Sequence, residues 1–266
     1  MTRKPLNRAT AIELYLKRAR ELDIIPNFWL AREYLSNQDV IGMTDGVVLW
    51  LQEEDWALFP PLPLGDSLDH MAQFHLPPLK VWSDFANYAV GTPQEFLDWE
   101  YVYDSTRFHH MDGGEWKTFR KNVRKWPREH EWSYQMIPPT FGQIEDLLLR
   151  WLEHKPENLV IQDPASMEWF LMNGARRAFL FEKDRLMAVN VWDWNDPYLM
   201  FRYCVSDPEE PFLNEFARLL FYVRSACGMM VIDGGSLGQP GLERFKDKLN
   251  PFLKRSVYTY TIPGGE

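Results

Sequence analysis

The chain has 266 residues, of which 45% are hydrophobic and 15% aromatic, and its formal net charge is −9. This composition excludes a disordered chain, because it supplies enough apolar side chains for a core, and the length favours two domains. The acidic balance argues against a protein that coats nucleic acid over its whole surface, although it leaves room for a local basic patch.

Cysteine content and hydropathy define the expected compartment. The two cysteines, Cys204 and Cys227, have no spacing typical of a zinc site or a disulfide framework. No stretch reaches the roughly eighteen apolar residues of a membrane span, and the basic residues 1–10 lack the apolar segment of a signal peptide. We therefore expect a soluble, cytoplasmic protein without a membrane span.

The first half predicts helices followed by strands. Residues 11–22 repeat apolar side chains at helical spacing, and residues 28–35 predict a second helix. Residues 40–51, with a turn-like Thr44-Asp45-Gly46 inside the run, and residues 56–59 predict two strands. The proline-rich residues 60–65 must be extended. Further strands are expected at 99–103 and 132–137. We place the domain boundary at Pro138-Pro139.

Residues 115–126 predict a helix with two distinct faces, ended by Pro127. Its apolar side carries tryptophan, phenylalanine and valine at helical spacing. Its opposite side and the residues just beyond it carry the basic stripe: Lys117, Arg120, Lys121, Arg124, Lys125 and Arg128. Such a stripe is either a solvated helix face or a surface for the phosphates of tRNA or another nucleic acid.

The second half predicts a helix at 141–154 and a short helix at 164–172, then three antiparallel strands at 177–182, 186–194 and 198–205. A helix follows at 211–227, with Gly228 at its C-terminal end. Residues 229–233 are fully apolar until Asp233, as expected of a central parallel strand. A helix at 241–250 and a strand at 256–262 complete the order.

This element order resembles the GNAT acyltransferase fold, and three segments make the resemblance more specific. They are PPLPLG at 60–65, the basic segment KTFRKNVRKW at 117–126 with Tyr103-Asp104 before it, and IDGG at 232–235 followed by GLERFKDKLNP at 241–251. In this order they resemble motifs of the phosphatidylglycerol lysyltransferase C-terminal-like family. The resemblance covers most of the chain.

The resemblance implies an α/β (α+β) fold of two tandem GNAT-like halves, 1–138 and 139–266, with mixed, mostly antiparallel sheets flanked by helices. It also implies an acyl- or aminoacyl-transferase that moves an acyl group from an activated donor to an amine or hydroxyl acceptor. Two alternatives stay open: a catalytically degenerate pair of halves that binds nucleic acid or protein, and a phage-type acyltransferase that modifies nucleic-acid bases.

One segment departs from GNAT enzymes that use acetyl-CoA. Those enzymes hold the pyrophosphate with a glycine-rich loop and a helix N-terminus after the third strand of the meander. Here residues 205–211 contain no glycine and carry three carboxylates, at Asp207, Glu209 and Glu210. An ordinary coenzyme A pocket is therefore doubtful, although aminoacyl-tRNA and acyl-CoA both stay open as donors. We expect no tightly bound cofactor.

Acyl transfer to an amine needs a group that accepts the ammonium proton and donors for the oxyanion. In a GNAT half the splayed third and fourth strands frame the reaction centre. This placement makes Tyr203, Ser206 and Asp233 catalytic candidates and Arg202 a binding candidate. Asp233 would be a base or an amine anchor, or it would only cap the loop that follows. The sequence shows no nucleophile with a triad-like pattern.

Four further residues are candidates for binding the substrate or donor. Lys246 and Lys248 follow a glycine-containing loop and would hold a phosphate-bearing group, or else lie on an exposed helix face. Trp192 and Trp194 share one strand face by the period of two, and would form an aromatic wall for a ligand or pack in the core. The neighbouring His109 and His110 have no visible partners for a metal, and no metal site is expected.

Overall fold

The computed structural model describes residues 4–22, 41–44, 48–53, 56–57, 62–65, 80–83, 92–154, 171, 176–195, 198–236 and 238–261. They fall into two compact units. The first unit comprises residues 1–101, 234–239 and 254–266, and the second comprises 102–233 and 240–253. The boundary predicted at residues 138 and 139 lies inside the second unit.

The described helices and strands are as follows. The helices are α1 (Arg8–Glu21), α2 (Arg107–His110), α3 (Lys117–Asn122), α4 (Trp126–Glu129), α5 (Phe141–Glu153), α6 (Leu213–Leu220), a π-helical turn (Phe221–Ser225) and α7 (Pro240–Lys248). The strands are β1 (Lys4–Leu6), β2 (Ile41–Thr44), β3 (Val48–Glu53), β4 (Trp56–Ala57), β5 (Leu62–Pro63), β6 (Lys80–Ser83), β7 (Thr92–Asp104), β8 (Trp132–Gln135), β9 (Arg176–Glu182), β10 (Arg185–Asn195), β11 (Tyr198–Ser206), β12 (Met230–Asp233) and β13 (Leu253–Thr261).

In the first unit, α1 packs its apolar face on the strands. The side-chain oxygen of Asn7 accepts a hydrogen bond from the Thr10 amide (3.3 Å) and so caps the helix. A Cβ atom on Gly42 of β2 would lie 1.9 Å from the Ala11 Cβ, so this close approach requires glycine. The helix predicted over 11–22 is confirmed, and the one predicted over 28–35 lies outside the described residues.

The sheet of the first unit has the order β1-β2-β3-β4-β6-β13-β7, and the short strand β5 also pairs with β3. The single strand predicted over 40–51 is wrong: β2 and β3 are two antiparallel strands, with Ile41 opposite Gln52. The extended conformation predicted for residues 60–65 is confirmed at β5, whereas the described residues Leu64 and Gly65 form a bend.

The second unit contains the predicted meander. Its strand order is β7-β12-β11-β10-β9-β8, in which β8 to β11 pair antiparallel and β12 lies parallel to β11. The helix before the meander, α5, begins with a capping box formed by Thr140 and Gln143. The short helix predicted at 164–172 lies almost entirely outside the described residues. The mixed α+β class with mainly antiparallel strands is confirmed.

The basic helix predicted over 115–126 is wrong in its continuity. α3 ends at Asn122, and α4 begins at Trp126 with Pro127 as its second residue. Proline is tolerated there because the first amides of a helix have no intrahelical acceptor. The proline that was expected to end a helix therefore lies in the first turn of the next one.

Candidate functional site

The two parallel strands β11 and β12 stop pairing at one end. They pair from Tyr198 opposite Met230 to Phe201 opposite Asp233. β12 ends there, whereas β11 continues to Ser206. Residues 202–206 of β11 lie beyond the last residue that pairs with β12, although residues 203–206 still pair with β10. We call residues 202–206, together with the end of β12, the strand opening. The end of pairing between the third strand of the meander and the following parallel strand, where we expect the site, thus lies in the second unit.

Asp233 closes the strand opening as part of a buried ion group. Its Oδ2 atom accepts a hydrogen bond from Nη1 of Arg218 (2.5 Å), and its Oδ1 atom accepts one from Nζ of Lys246 (2.8 Å). The three side chains are between 4% and 9% exposed. Such a group is stable only while both the carboxylate and the cations are present, because a buried charge without a partner lowers the free energy of unfolding.

The ion group limits the chemistry open to Asp233. Burial by itself would raise the pKa of this carboxyl, but Arg218 and then Lys246 outweigh it and hold the pKa below the ordinary 3.8. Burial likewise opposes the charge on Arg218, and Asp233 reverses the effect and raises that pKa. A carboxylate with a lowered pKa is a weak base at neutral pH. The catalytic role of Asp233 stays a prediction.

The two lysines predicted to hold a phosphate occupy different settings. Lys246 is 4% exposed and belongs to the Asp233 ion group, and the Tyr103 hydroxyl donates to its backbone carbonyl (3.0 Å). Lys248 is half-buried and pairs with Glu215 Oε1 (2.7 Å). To bind a phosphate, each lysine would have to contact the phosphate in addition to its carboxylate partner, or break that ion pair.

The other candidates on β11 point in different directions. Arg202 is buried and donates from Nε to Oδ2 of the fully buried Asp193 (2.8 Å). Ser206 is buried as well, and its Oγ accepts from Nδ2 of Asn214 in α6 (3.2 Å). Tyr203 is half-buried. The strand opening therefore brings Ser206 towards α6, whereas Arg202 belongs to a separate buried ion pair.

The glycine-free segment after β11 is a closed turn, residues 206–211, which we call the acidic turn. Asp207 is fully buried and binds Arg150 of α5 and Nη2 of Arg185 (2.7 Å). Glu210 accepts from the indole nitrogen of Trp126 (3.1 Å). The carboxylates therefore fasten the turn to the protein.

The backbone of the acidic turn is also committed. Pro208 and Pro211 have no N–H group. Internal acceptors take the amide hydrogens of Asp207, Glu209, Glu210 and Leu213. A phosphate-binding loop needs such amides directed outward, so this turn offers no cradle for a pyrophosphate.

No protein-family model matches the sequence, and no curated protein matches it either. Solved structures do match. A conserved protein of unknown function from Bacteroides thetaiotaomicron aligns over 99% of this chain and 100% of its own, with 15% identity and a TM-score of 0.71. The C-terminal domain of a putative lysylphosphatidylglycerol synthetase from Agrobacterium fabrum aligns over 97% and 93%, with 14% identity and a TM-score of 0.63.

A tandem GNAT protein from the clavulanic acid biosynthesis pathway aligns over 100% of this chain and 99% of its own, with 12% identity and a TM-score of 0.52. The chain has a GNAT-type fold. The resemblance deduced from the motifs is thereby confirmed at the level of fold. The acidic turn lies between β11 and α6. This is the position, after the third strand of the meander, of the glycine-rich loop described above for GNAT enzymes that use acetyl-CoA.

The basic stripe is divided between exposed and structural cations. Arg120 is half-buried and donates to the carbonyls of Met111 and Gly113. Lys125 lies 3.7 Å from the ring centroid of Phe212. Four cations remain exposed, and none forms an ion pair with a described carboxylate: Lys117, Lys121, Arg124 and Arg128.

The two predicted aromatic-wall residues differ in exposure. Trp192 is 2% exposed and packs against Phe221 of the π-helical turn, with 5.3 Å between ring centroids. Trp194 is 37% exposed and stacks with Arg176. Core packing therefore accounts for Trp192, and only Trp194 offers an accessible ring.

The sequence patterns did not reveal Arg218 or the partners of Asp207. Arg218 lies one helical turn after Asn214 on the face of α6 that packs on β11, a spacing visible in the sequence, but its pairing with Asp233 depends on the fold. Among the described residues no group of three metal-ligating side chains occurs, and no described helix is long and apolar enough to cross a membrane.

Proposed function

We propose that the protein is an acyltransferase that takes an aminoacyl group from an ester donor of the aminoacyl-tRNA type and passes it to an amine or hydroxyl acceptor. The observation that carries this proposal is the acidic turn. It has the position of a pyrophosphate loop, but its amides are bonded internally and its Asp207 carboxylate is buried against Arg150 and Arg185. A coenzyme A donor thus finds no support in the second unit.

The exposed cations of the basic stripe supply what an RNA donor needs. Phosphate contacts provide most of the non-specific affinity for nucleic acid, and four unpaired cations on α3, α4 and the residues between them are available for such contacts. The net charge of −9 restricts this affinity to a local surface. The GNAT-type fold supports acyl transfer as the reaction class, and one structural neighbour is a domain of a putative lysylphosphatidylglycerol synthetase.

Donor binding tests the proposal directly. We expect the full chain to retain labelled aminoacyl-tRNA on a filter and to release the aminoacyl label when a pool of amines is added. Labelled acetyl-CoA should neither be retained nor lose its acetyl group. If the protein retains acetyl-CoA but not aminoacyl-tRNA, the proposed donor is wrong. If it retains neither, the proposed acyl transfer is wrong. Retention of tRNA without acyl loss would indicate a binding module.

A matched pair of double variants tests the basic stripe. Lys121→Gln with Arg124→Gln removes two exposed cations of the stripe, whereas Lys183→Gln with Arg244→Gln makes the same charge change at exposed positions outside it. We expect the first pair to weaken tRNA binding and to reduce the salt dependence of log K by about one for each phosphate that is no longer neutralised. Equal effects of the two pairs would exclude the stripe as the RNA surface.

A further inference from the structure

A half-buried thiol lies in the strand opening. Cys204 is the third residue after Phe201, the last residue of β11 that pairs with β12. In a regular strand residues 201 and 204 would point to opposite faces. Here Val191 pairs with Tyr203 and Trp192 pairs with Phe201, so Arg202 is the extra residue of a β-bulge.

The bulge turns Cys204 towards α6. Nδ2 of Asn214, in the first turn of α6, lies 3.6 Å from the Cys204 sulfur. Phe201 faces the same helix, because the guanidinium carbon of Arg218 lies 4.8 Å from its ring centroid. Asn214 and Arg218 are one turn apart on α6, so the guanidinium lies on the helix face whose amide N–H contacts the thiol.

These neighbours favour the ionised form of the sulfur. An N–H donor, the N-terminal turn of a helix and a cation each stabilise a thiolate. The interaction between Arg218 and Cys204 is favourable when both are charged, and it adds to the effect of Asp233 in raising the pKa of Arg218 against the effect of burial. The Asp233 carboxylate opposes a thiolate, but Arg218 and Lys246 neutralise it at 2.5 and 2.8 Å.

One buried polar atom on α6 and one on β10, opposite Cys204, have no hydrogen-bond partner among the described residues. Nε of Arg218, a residue 8% exposed, donates no hydrogen bond to any described residue. Asn190 lies directly opposite Cys204 on β10 and is 1% exposed. Its Nδ2 donates to the Ala217 carbonyl of α6 (2.9 Å), and its Oδ1 accepts nothing from the described residues. A buried donor and a buried acceptor without partners mark a place for a group that carries both a carbonyl and an N–H.

We propose that Cys204 is the covalent nucleophile of this site and carries the aminoacyl group as a thioester. This inference rests on the proposed acyl transfer. The Arg218 Nε–H donates to the carbonyl oxygen of the bound acyl group, and Asn190 Oδ1 accepts from its amino group. The α-amino group of an aminoacyl ester supplies that N–H, which a simple acetyl group lacks.

The reaction balances in two steps. The thiol first loses its proton to water. The thiolate then attacks the ester carbonyl, the S–C bond forms, the ester C–O bond breaks, and the released alkoxide takes a proton from water. In the second step the acceptor amine attacks the thioester carbonyl, the C–N bond forms, the C–S bond breaks, and the thiolate returns. The surplus proton of the new amide nitrogen passes to water.

The second cysteine provides a matched control. Cys227 is exposed and lies 3.4 Å from Nε2 of His109, before the start of β12 and therefore away from the end at which Asp233 lies. The Cys227→Ala protein has Cys204 as its single thiol, and the Cys204→Ala protein has Cys227. Exposure alone predicts that Cys227 reacts faster with iodoacetamide.

Thiol reactivity tests the nucleophile without any donor. We expect Cys204 in the Cys227→Ala protein to be alkylated by iodoacetamide several-fold faster than Cys227 in the Cys204→Ala protein, because the Asn214 N–H stabilises a thiolate at Cys204. The additional change Asn214→Asp keeps the helix start favourable but replaces an N–H donor by a negative charge, and should slow the alkylation of Cys204 several-fold. Slower alkylation of Cys204 than of Cys227 would overturn the proposal.

Acyl capture tests the covalent step. Incubation of the Cys227→Ala protein with p-nitrophenyl acetate, and separately with aminoacyl-tRNA, should add one acyl mass at Cys204 that hydroxylamine removes. Cys204→Ser and Cys204→Ala should both remain folded and lose at least about a hundredfold in turnover, while Cys227→Ala keeps it. A Cys204→Ser protein that transfers at the unchanged rate would overturn the thioester but leave acyl transfer intact.

Discussion

Two buried aspartates of the second unit each bind two cationic side chains, but in different surroundings. Asp207 in the acidic turn binds Arg150 and Arg185, and the Arg185 side chain is 52% exposed. Asp233 at the strand opening binds Arg218 and Lys246, which are 9% and 4% exposed. Water can therefore help to solvate one cation of the first group, whereas the cations of the second depend on the protein alone.

This difference in exposure gives the Asp207 group a structural role and leaves the Asp233 group as part of the candidate site. The Asp207 group joins the acidic turn to α5 and to the start of β10, and its exposed arginine can return to water if the carboxylate is lost. Arg218 and Lys246 of the Asp233 group cannot turn to solvent in this way, and a buried charge without its partner is strongly destabilising. The second group is thus fixed in place at the end of β12, where the pairing between β11 and β12 stops.

The largest expected effect follows from removing the Asp233 charge. Asp233→Asn leaves Arg218 and Lys246 buried with no carboxylate between them, and we expect the free energy of unfolding to fall by about 3–5 kcal/mol. Urea denaturation measures this loss. Adding Lys246→Met removes one of the two uncompensated cations and should restore part of the stability, because neighbouring changes are not additive. A double variant less stable than Asp233→Asn would contradict the proposed charge balance.

The corresponding change in the acidic turn should cost less. Asp207→Asn keeps an oxygen that can accept from the Glu209 amide, and Arg185 can turn to solvent, so we expect a loss of about 1–3 kcal/mol. Glu210→Gln is the matched control, since its amide oxygen can still accept from the Trp126 indole, and it should stay within about 1 kcal/mol of the unchanged protein. Equal losses for Asp207→Asn and Asp233→Asn would remove the distinction between the two groups.

The smallest expected effect, and the one most specific to Asp233, is measured by acid titration. Because the folded-state pKa of Asp233 lies below the ordinary 3.8, its contribution to stability is fully present above that value and is lost as the pH falls through the folded-state value. Between about pH 5 and pH 2 the urea midpoint of the unchanged protein should therefore fall more steeply than that of Asp233→Asn. Parallel curves would show that Asp233 is not ion-paired in solution.

The elements with a strong local pattern were predictable. α1, α5 and the three strands β9 to β11 agree with the expected spans to within a few residues, since each buries one regular face. β12 followed from its apolar run and lies parallel to β11 as expected. The glycine-free acidic turn was also visible in the sequence, but not that Arg150 and Arg185 neutralise Asp207.

The basic stripe shows why periodicity alone misled. Its residues repeat at helical spacing, yet α3 ends at Asn122. The Arg120 guanidinium binds carbonyls before the helix, and the Trp126 indole binds Glu210, so two different anchors determine the two ends of the segment. Those anchors come from residues far apart in the sequence, and local propensity cannot include them.

The sequence by itself determined the order of helices and strands from α5 onward, the absence of a glycine-rich loop after β11 and the concentration of cations at 117–128, because each depends on neighbouring residues or on composition. Only the tertiary structure decided that Asp233 lies between Arg218 and Lys246. The bulge at Arg202 likewise decided that Cys204 faces α6, because one extra residue in a strand reverses the direction of every side chain after it.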